Sequence, residues 1–338
     1  MSNLAPKKIL IIKPSSLGDI VHSLPALNAI HRCFPGAEIH WLVAKGLEGI
    51  LEGHPMLTRL WVIHKDEWKM ITRLHSTAGE LQKLFRNLRA EHFDYAIDLQ
   101  GLFRSGLITR ATRAPMRIGF EEAREGSTLF YTHMVAGGKD VHAVDRYLKI
   151  AAYLGCDVSE VRFPFPPFAA GTREELPVAG EYAVMVPGAR KPVNRWPAER
   201  FGELASRLPL KTVVVGSRGD RTLADKVVGR SKGKASSIAG KTDLEGLVSV
   251  IRNARFMVSN DTGPMHIAAA LGVPVFALFG PANPARTGPY GKGHTVIRKE
   301  ISCSPCYKRS CKSALCMDMI KTNEVAAVIS DFIRRRQR

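Results

Sequence analysis

The feature that most constrains the fold of this chain is an alternation of short apolar runs with amphipathic stretches, which occurs twice. Residues 8–13 (KILIIK) form a strand-like run, and residues 20–33 then place apolar side chains on one helical face. The same order returns with a strand-like run at residues 182–186 and a helical stretch at residues 198–207. Short apolar strands that alternate with helices predict parallel sheets covered by helices on both faces.

A proline-rich segment separates the two alternating regions, with Pro164, Pro166, Pro167 and Pro177 close together. Because proline is disfavoured in helix interiors and central strands, this segment predicts a linker. A chain of 338 residues is also long enough for two domains. We therefore expect an α/β fold of two doubly wound, Rossmann-like domains that face each other across a cleft. The expected boundaries are residues 1–168 for the first domain, 169–322 for the second, and 323–338 for a C-terminal helix that packs back on the first.

The net charge of +18 attracts polyanions, which include nucleic acid, anionic lipid headgroups and phosphorylated glycolipids. Charge alone does not choose among them. Aromatic side chains are few and unclustered, which disfavours nucleic acid as the partner. No apolar run approaches the ~20 residues that a membrane-spanning helix needs, and the N-terminus has no signal-peptide pattern. The sequence predicts a cytoplasmic protein without a transmembrane segment.

Four of the six cysteines form a C-x2-C-x4-C-x4-C cluster of Cys303, Cys306, Cys311 and Cys316. A zinc or iron–sulfur site is one interpretation of clustered cysteines. The spacing fits no standard template and no histidine lies inside the cluster. We therefore expect no metal and no cofactor, and the sequence leaves the role of the cluster open.

Three loops at predicted strand ends carry candidate functional residues, because ligands bind at the carboxyl ends of strands in open parallel sheets. In the loop SNDTGPMH, Thr262 and Gly263 begin a helix whose N–H groups and dipole suit a diphosphate. Asp261 would accept hydrogen bonds from sugar or ribose hydroxyls, and His266 would donate to a phosphate. The alternative is that Asp261 or Thr262 only caps the helix and that His266 packs in an interface.

A second loop follows the first strand of the second domain and places Arg190, Lys191 and Arg195 near Gly188. A glycine lets the backbone approach a ligand, and cations suit a leaving diphosphate. The alternative is an exposed basic loop that Trp196 anchors to the following helix. Because the two loops would lie at neighbouring strand ends, together they favour phosphate binding.

The third loop, SSLGD, lies in the first domain and contains Ser16 and Asp19. Asp19 could take the proton from an attacking hydroxyl. The alternative is that Ser16 or Asp19 merely caps the following helix. No D-x-D sequence occurs in the chain, so a common metal–diphosphate clamp is missing, and cations and helix dipoles would meet the phosphate charge instead.

These segments resemble a known family. KILIIKPSSLGDIVHSLPAL, IDLQGLFRSGL, NRWPAERF and SNDTGPMHIAAALGVPVFALFGP look like the ADP-heptose:lipopolysaccharide heptosyltransferases, and the likeness runs from Lys8 to Met317. The segment from Arg124 to Leu148 resembles members that add the first heptose. The segment CSPCYKRSC also occurs in relatives that add the second.

The resemblance implies a GT-B fold and an inverting, metal-independent transfer of L-glycero-D-manno-heptose from ADP-heptose to the Kdo of Kdo2-lipid A, in lipopolysaccharide inner-core biosynthesis. It implies that Asp19 is the general base and that the enzyme associates peripherally with the inner membrane from the cytoplasm. The implied donor-binding residues are Ala189, Arg190, Lys191, Asn194, Arg195, Asp220, Thr242, Asp261, Thr262, Gly263 and His266. The implied acceptor-binding residues are Ser16, Gly18, Lys65, Lys69, Arg73 and Arg124.

The chain departs from this family at one site position. Many relatives have a lysine where this chain has Asn194, so Lys191 or Arg195 would have to supply the main phosphate cation. Two other functions stay open: a heptosyltransferase that adds the second heptose, and a non-catalytic protein that binds nucleotides or polyanions.

Overall fold

The computed structural model describes residues 5–64, 74–168 and 177–337. The chain divides into two compact units, Met1–Pro167 and Phe168–Arg338. The division falls in the proline-rich segment. Each unit has its own parallel sheet with helices, so the predicted α/β class with two doubly wound units is confirmed.

Within the described residues, the first unit forms a six-stranded sheet in the order β3-β2-β1-β4-β5-β6, and every neighbouring pair of strands is parallel. The strand order reverses between β1 and β4, which is the switch point where doubly wound sheets bind ligands. The strands are β1 (Lys8–Ile12), β2 (Glu38–Ala44), β3 (Arg59–Ile63), β4 (Tyr95–Asp98), β5 (Met116–Phe120) and β6 (His133–Val135).

The second unit repeats this topology within the described residues, in the order β12-β11-β10-β7-β8-β9, again with parallel pairs throughout. Its switch point lies between β7 and β10, and both of these strands are buried along their whole length. The strands are β7 (Tyr182–Val186), β8 (Lys211–Val214), β9 (Ala235–Ser237), β10 (Phe256–Asn260), β11 (Val275–Phe279) and β12 (Thr295–Arg298).

Helices connect the strands in both units. The first, α1, begins at Leu17, three residues before the predicted start at Ile20, because Ser16 and Asp19 form a hydrogen-bonded cap ahead of it. The helices are α1 (Leu17–Cys33), α2 (Leu74–Ala90), α3 (Phe103–Ala111), α4 (Ala143–Tyr153), α5 (Ala198–Arg207), α6 (Arg221–Arg230), α7 (Leu244–Arg252), α8 (Gly263–Ala270), α9 (Pro284–Thr287), α10 (Leu315–Asp318) and α11 (Thr322–Gln337).

The C-terminal helix α11 belongs to the core of the second unit. Val325 and Ile329 are fully buried in the same apolar cluster as Phe201 of α5 and Phe256 of β10. Phe332 adds an edge-to-face contact with Phe256, with ring centroids 6.2 Å apart. These contacts place the helix in the core of the second unit. The reason is its apolar face, which fills the space over β10 and β11.

The helices of the described residues include none with the length and apolarity that crossing a bilayer requires.

Candidate active site

In the first unit, the loop after β1 presents Asp19 in the first turn of α1. Both the backbone N–H and the hydroxyl of Ser16 donate to Oδ2 of Asp19, at 2.9 and 2.7 Å. Asp19 is half-buried, and the adjacent Gly18 is buried. The carboxylate therefore does cap the helix, as the alternative reading of this loop held. A carboxylate has a second oxygen, so capping fixes its orientation without excluding a role as a base.

A buried lysine lies behind Asp19, and sequence reasoning missed it. Lys13 directly follows β1 and is 3% exposed. Its Nζ donates to the carbonyl of Leu99 at 3.1 Å and lies 5.0 Å from the ring centroid of Tyr147. Burial by itself lowers the pKa of Lys13, but the negative charge of Asp19 and the hydrogen bond with Tyr147 outweigh it and leave the pKa above its ordinary value. Lys13 is a cation that favours the ionised form of Asp19.

The loop after β4 meets the loop after β1 at the switch point. The backbone N–H of Ser15 donates to Oε1 of Gln100 at 3.4 Å. Asp98 at the end of β4 is fully buried and accepts from the hydroxyl of Tyr131 at 2.7 Å and from the N–H of Gly101 at 3.0 Å. Burial raises the pKa of Asp98 although these hydrogen bonds oppose it. These hydrogen bonds join the loops after β1 and β4 and fix the end of β4.

The loop after β5 brings Arg124 to the same edge of the sheet. The N–H of Arg124 donates to the carbonyl of Gly101 at 2.9 Å, and its side chain is exposed. Ser16, Gly18, Asp19 and Arg124 therefore lie on neighbouring loops of one sheet edge. The other expected acceptor residues, Lys65, Lys69 and Arg73, lie outside the described residues.

A second cation near this edge was also not predicted. Arg146 of α4 pairs with Glu122 at 3.5 Å and its guanidinium lies 4.3 Å from the ring centroid of Phe120. Glu122 in turn accepts from the N–H groups of Gly137 and Gly138, at 3.0 and 2.6 Å. Burial would raise the pKa of Glu122, but these hydrogen bonds and Arg146 hold it below its ordinary value.

In the second unit, a buried asparagine ties the loops after β7 and β10 together. Asn260 is fully buried at the end of β10. Its Oδ1 accepts from the N–H of Trp196 at 3.0 Å, and its Nδ2 donates to the carbonyl of Pro187 at 2.8 Å. The indole of Trp196 donates to the carbonyl of Ile320 at 2.9 Å, so Trp196 does anchor this loop. The two loops that the sequence placed at neighbouring strand ends are in contact.

Asn194 and Asp261 meet across these two loops. Nδ2 of Asn194 donates to Oδ2 of Asp261 at 3.2 Å, and Asn194 is 8% exposed. Oδ1 of Asn194 has no hydrogen-bond partner among the described residues. In the same loop, Nε of Arg195 donates to the carbonyl of Ala189 at 2.9 Å, which holds the guanidinium over the loop. Arg190 is exposed and Lys191 half-buried.

The start of α8 is a ready anion site. Thr262 is extended, with φ −157° and ψ 166°, and its side chain does not cap the helix. Gly263 and Pro264 follow in the first turn, where a proline costs no hydrogen bond. First-turn N–H groups and the positive end of the helix dipole thus meet at the switch point. His266, one turn further, is 7% exposed, so it is a mostly buried side chain behind this start.

The loops after β8 and β9 complete this edge. Oδ2 of Asp220 accepts from the N–H and hydroxyl of Ser217, at 2.9 and 2.6 Å. A Cβ on Gly188 would lie only 2.6 Å from Oδ1 of Asp220, so the close approach of these two loops requires glycine. The N–H of Gly240 donates to the carbonyl of Gly216 at 2.8 Å and brings the following loop, which carries the half-buried Thr242, to the same edge.

The clustered cysteines lie beside the loop after β11. The N–H of Cys306 donates to the carbonyl of Pro281 at 3.0 Å, and a Cβ on Gly280 would lie 3.0 Å from Sγ of Cys316. Cys303 and Cys311 are exposed. Among the residues that the structure describes, no three His, Cys, Asp or Glu side chains are arranged to hold a metal ion.

Two doubly wound units, one with an uncapped helix start at its switch point and the other with a carboxylate held by a helix cap, have the architecture of the GT-B class. The comparisons with known proteins specify the family. The family model described as "Glycosyltransferase family 9 (heptosyltransferase)" matches residues 81–316. The chain belongs to glycosyltransferase family 9 and is a glycosyltransferase.

Similar proteins support this assignment over nearly the whole chain. Lipopolysaccharide heptosyltransferase 1 of Pseudomonas aeruginosa is 32% identical over 319 residues, which cover 90% of this chain and 87% of that protein. Lipopolysaccharide heptosyltransferase 1 of Escherichia coli K12 is 31% identical over 301 residues, covering 86% and 93%. The solved structure "E. coli heptosyltransferase WaaC with ADP" matches with a TM-score of 0.80 and 27% identity, covering 96% of this chain and 99% of that one.

Proposed function

We propose that this chain transfers L-glycero-D-manno-heptose from ADP-heptose to the Kdo of Kdo2-lipid A, with inversion and without a metal. The observation that carries the proposal is the start of α8, which lies at the switch point beside Asp261 without a side-chain cap. Such a start binds a diphosphate through backbone N–H groups. The relatives are named lipopolysaccharide heptosyltransferase 1, and this name supports a heptose as the transferred sugar and a lipopolysaccharide precursor as the acceptor.

On the donor side, the ADP diphosphate lies against Thr262 and Gly263, with His266 behind it. Lys191 and Arg195 supply positive charge from the loop after β7. Asp261, held by Asn194, accepts hydrogen bonds from heptose hydroxyls. The further donor contacts come from the neighbouring loops, through Asp220 to the ribose and through Ala189, Arg190 and Thr242.

On the acceptor side, Asp19 accepts the proton of the attacking Kdo hydroxyl. The hydroxyl oxygen forms a bond to the anomeric carbon while the bond from that carbon to the phosphate oxygen breaks, and the electron pair leaves with ADP. The nearby positive charge of Lys13 favours the carboxylate form of Asp19 that accepts this proton. The dipole of α8 and the nearby cations stabilise the negative charge that develops on the leaving diphosphate.

The acceptor is anionic, so cations of the first unit hold it. Arg124 supplies one charge at the sheet edge that carries Asp19. Lys65, Lys69 and Arg73 are proposed as further contacts to the acceptor carboxylate and phosphates, with Ser16 and Gly18 lining the approach to Asp19. The lipid part of the acceptor requires peripheral association with the cytoplasmic face of the inner membrane.

The experiment is ADP release from ADP-heptose with defined acceptors. We expect release with Kdo2-lipid A, no release when Kdo is absent, and full activity in excess EDTA. Release only with an acceptor that already carries one heptose would instead identify the enzyme that adds the second heptose. Salt-dependent DNA binding with no ADP release on either acceptor would identify a non-catalytic polyanion-binding protein.

A further inference from the structure

Two apolar side chains of the first unit stand out of its surface near the sheet edge that carries Asp19. Leu129 is 84% exposed, more than any other large apolar side chain among the described residues. Phe103, the first residue of α3, is 47% exposed. Exposing large apolar side chains has a cost in water, which contact with another apolar phase removes.

These side chains stand on a rigid base. The ring of Phe130 packs edge to face on Phe103, with centroids 5.5 Å apart. A Cβ on Gly106 would lie 2.6 Å from Cδ2 of Phe130, so α3 and the turn that carries Leu129 are in close contact. Nε of Arg117 also donates to the carbonyl of Phe130 at 2.9 Å. Leu129 is therefore held outward by a fixed turn whose adjacent phenylalanine is packed inward.

Cations flank this pair. Arg104 follows Phe103 in α3, Arg124 opens the turn, and both are exposed. Two exposed acidic residues lie nearby. Glu121 follows β5, and Glu125 accepts a hydrogen bond from the N–H of Phe103 at 3.3 Å. The positive end of the α3 dipole therefore partly compensates the charge of Glu125. Aliphatic and aromatic side chains bordered by arginine are typical of a surface that lies in a membrane interface.

We propose that Phe103 and Leu129 insert into an anionic lipid bilayer while Arg104 and Arg124 contact its headgroups. This rests on the proposed function, because a sugar acceptor joined to lipid obliges the first unit to approach the bilayer with the edge that carries Asp19. Arg124 lies on that edge, hydrogen-bonded through its backbone to the loop after β4. The net charge of +18 matches an anionic membrane.

The first test is sedimentation with vesicles of phosphatidylethanolamine and phosphatidylglycerol, against phosphatidylcholine alone. We expect binding to the anionic vesicles only, and a loss on the order of tenfold for Leu129→Asp, which moves a charge into the interface. Leu315→Asp is the matched control, since Leu315 is also an exposed leucine, at 54%, and belongs to the second unit. Equal binding of Leu129→Asp and wild type would overturn the proposal.

A second variant does not depend on loss of binding. In Leu129→Trp the introduced indole should shift its emission to the blue on adding anionic vesicles and be quenched by brominated acyl chains. An unchanged spectrum would contradict insertion. Dissociation of a dimer by Leu129→Asp, with vesicle binding unchanged, would assign the surface to a second copy of the chain instead.

Activity separates this proposal from the proposed function. Leu129→Asp should retain ADP release with a deacylated, water-soluble acceptor and lose it with the same acceptor in vesicles. If wild-type protein releases no ADP with either acceptor while its vesicle binding depends on Leu129, the proposed function is wrong and the membrane surface stands. If release occurs and vesicle binding ignores Leu129, the surface is wrong and the function stands.

Discussion

Nδ2 of Asn194 donates a hydrogen bond to Oδ2 of Asp261 at 3.2 Å, and this bond joins the loops after β7 and β10 at the switch point of the second unit. Rotating the amide would set Oδ1 against a carboxylate oxygen, so the hydrogen bond fixes its orientation. Asn194 thus supplies a neutral donor that aims Asp261.

Removing that donor should weaken recognition of the sugar more than the chemistry. For Asn194→Ala we expect KM for ADP-heptose to rise about tenfold, the effect of one hydrogen bond to a charged group, with a smaller change in kcat. Asn194→Lys should retain most activity because an ammonium group can pair with Asp261. Steady-state kinetics at fixed acceptor concentration measure both, and an unchanged KM for Asn194→Ala would exclude this role of the amide.

The close approach of Gly188 and Asp220 gives a steric prediction. A methyl group at residue 188 would meet Oδ1 of Asp220 at 2.6 Å and displace that carboxylate. We expect Gly188→Ala to bind ADP about tenfold more weakly, in line with overpacking at a tight contact. Gly219→Ala is the matched control, because its nearest contact would be an ordinary 3.6 Å. Calorimetric titration with ADP should separate the two variants; equal affinities would contradict the assignment of Asp220.

The buried cation behind Asp19 predicts a shift in the pH profile. Without Lys13, ionised Asp19 loses its electrostatic support, so Lys13→Met should move the acid limb of the kcat/KM profile to higher pH. At neutral pH we expect turnover to fall about tenfold, since transition-state electrostatics are worth a few kcal/mol per group. Lys13→Arg, which retains the charge, is the comparison. A profile that does not move in Lys13→Met would mean that Lys13 serves only the fold.

How much of this the sequence predicts depends on whether a feature is local. The loop of Asp261 and Thr262 and the loop of Ser16 and Asp19 are predictable because each lies within one strand–turn–helix segment, with its own helix start. The role of Lys13 could not be predicted, since a lysine that ends an apolar strand is ordinary in sequence. Its burial and its hydrogen bond to the carbonyl of Leu99 appear only in the folded chain.

Contacts between loops could not be predicted from the sequence either. Asn260 bonds to residues more than sixty positions away, which only the strand order brings to one edge. The apolar stripe of the C-terminal helix is visible in the sequence, but the surface on which it packs is not. The structure packs that stripe on Phe201 and Phe256.

A buried histidine predicts loss of stability in mild acid. His54 is 3% exposed, its Nδ1 accepts from the N–H of Met56 at 3.1 Å, and its Nε2 lies 3.1 Å from the carbonyl of Pro164. The ring is therefore neutral, with its proton on Nε2. Burial lowers the pKa of His54, although the Pro164 carbonyl opposes this.

Because the folded pKa lies below the unfolded one, the unfolded chain binds the extra proton first as the pH falls. The neutral ring of His54 therefore stabilises the folded protein above an unfolded pKa of about 6.5, and this contribution is lost as the pH falls below that value. The melting temperature should decline from pH 8 to pH 5, and the decline should be smaller in His54→Gln. His40, whose pKa burial also lowers, accounts for part of the remaining slope. An identical slope in the variant would contradict the neutral ring.

The central claim is that Asp19 is the base that accepts the acceptor proton. Asp19→Ala should lower ADP release with Kdo2-lipid A about a thousandfold, while its affinity for ADP, measured by calorimetry, stays within about twofold because the proposed donor site lies in the other unit. Asp19→Asn, which keeps a polar cap for α1, should be equally inactive. Turnover near the wild-type rate in Asp19→Asn would contradict the account.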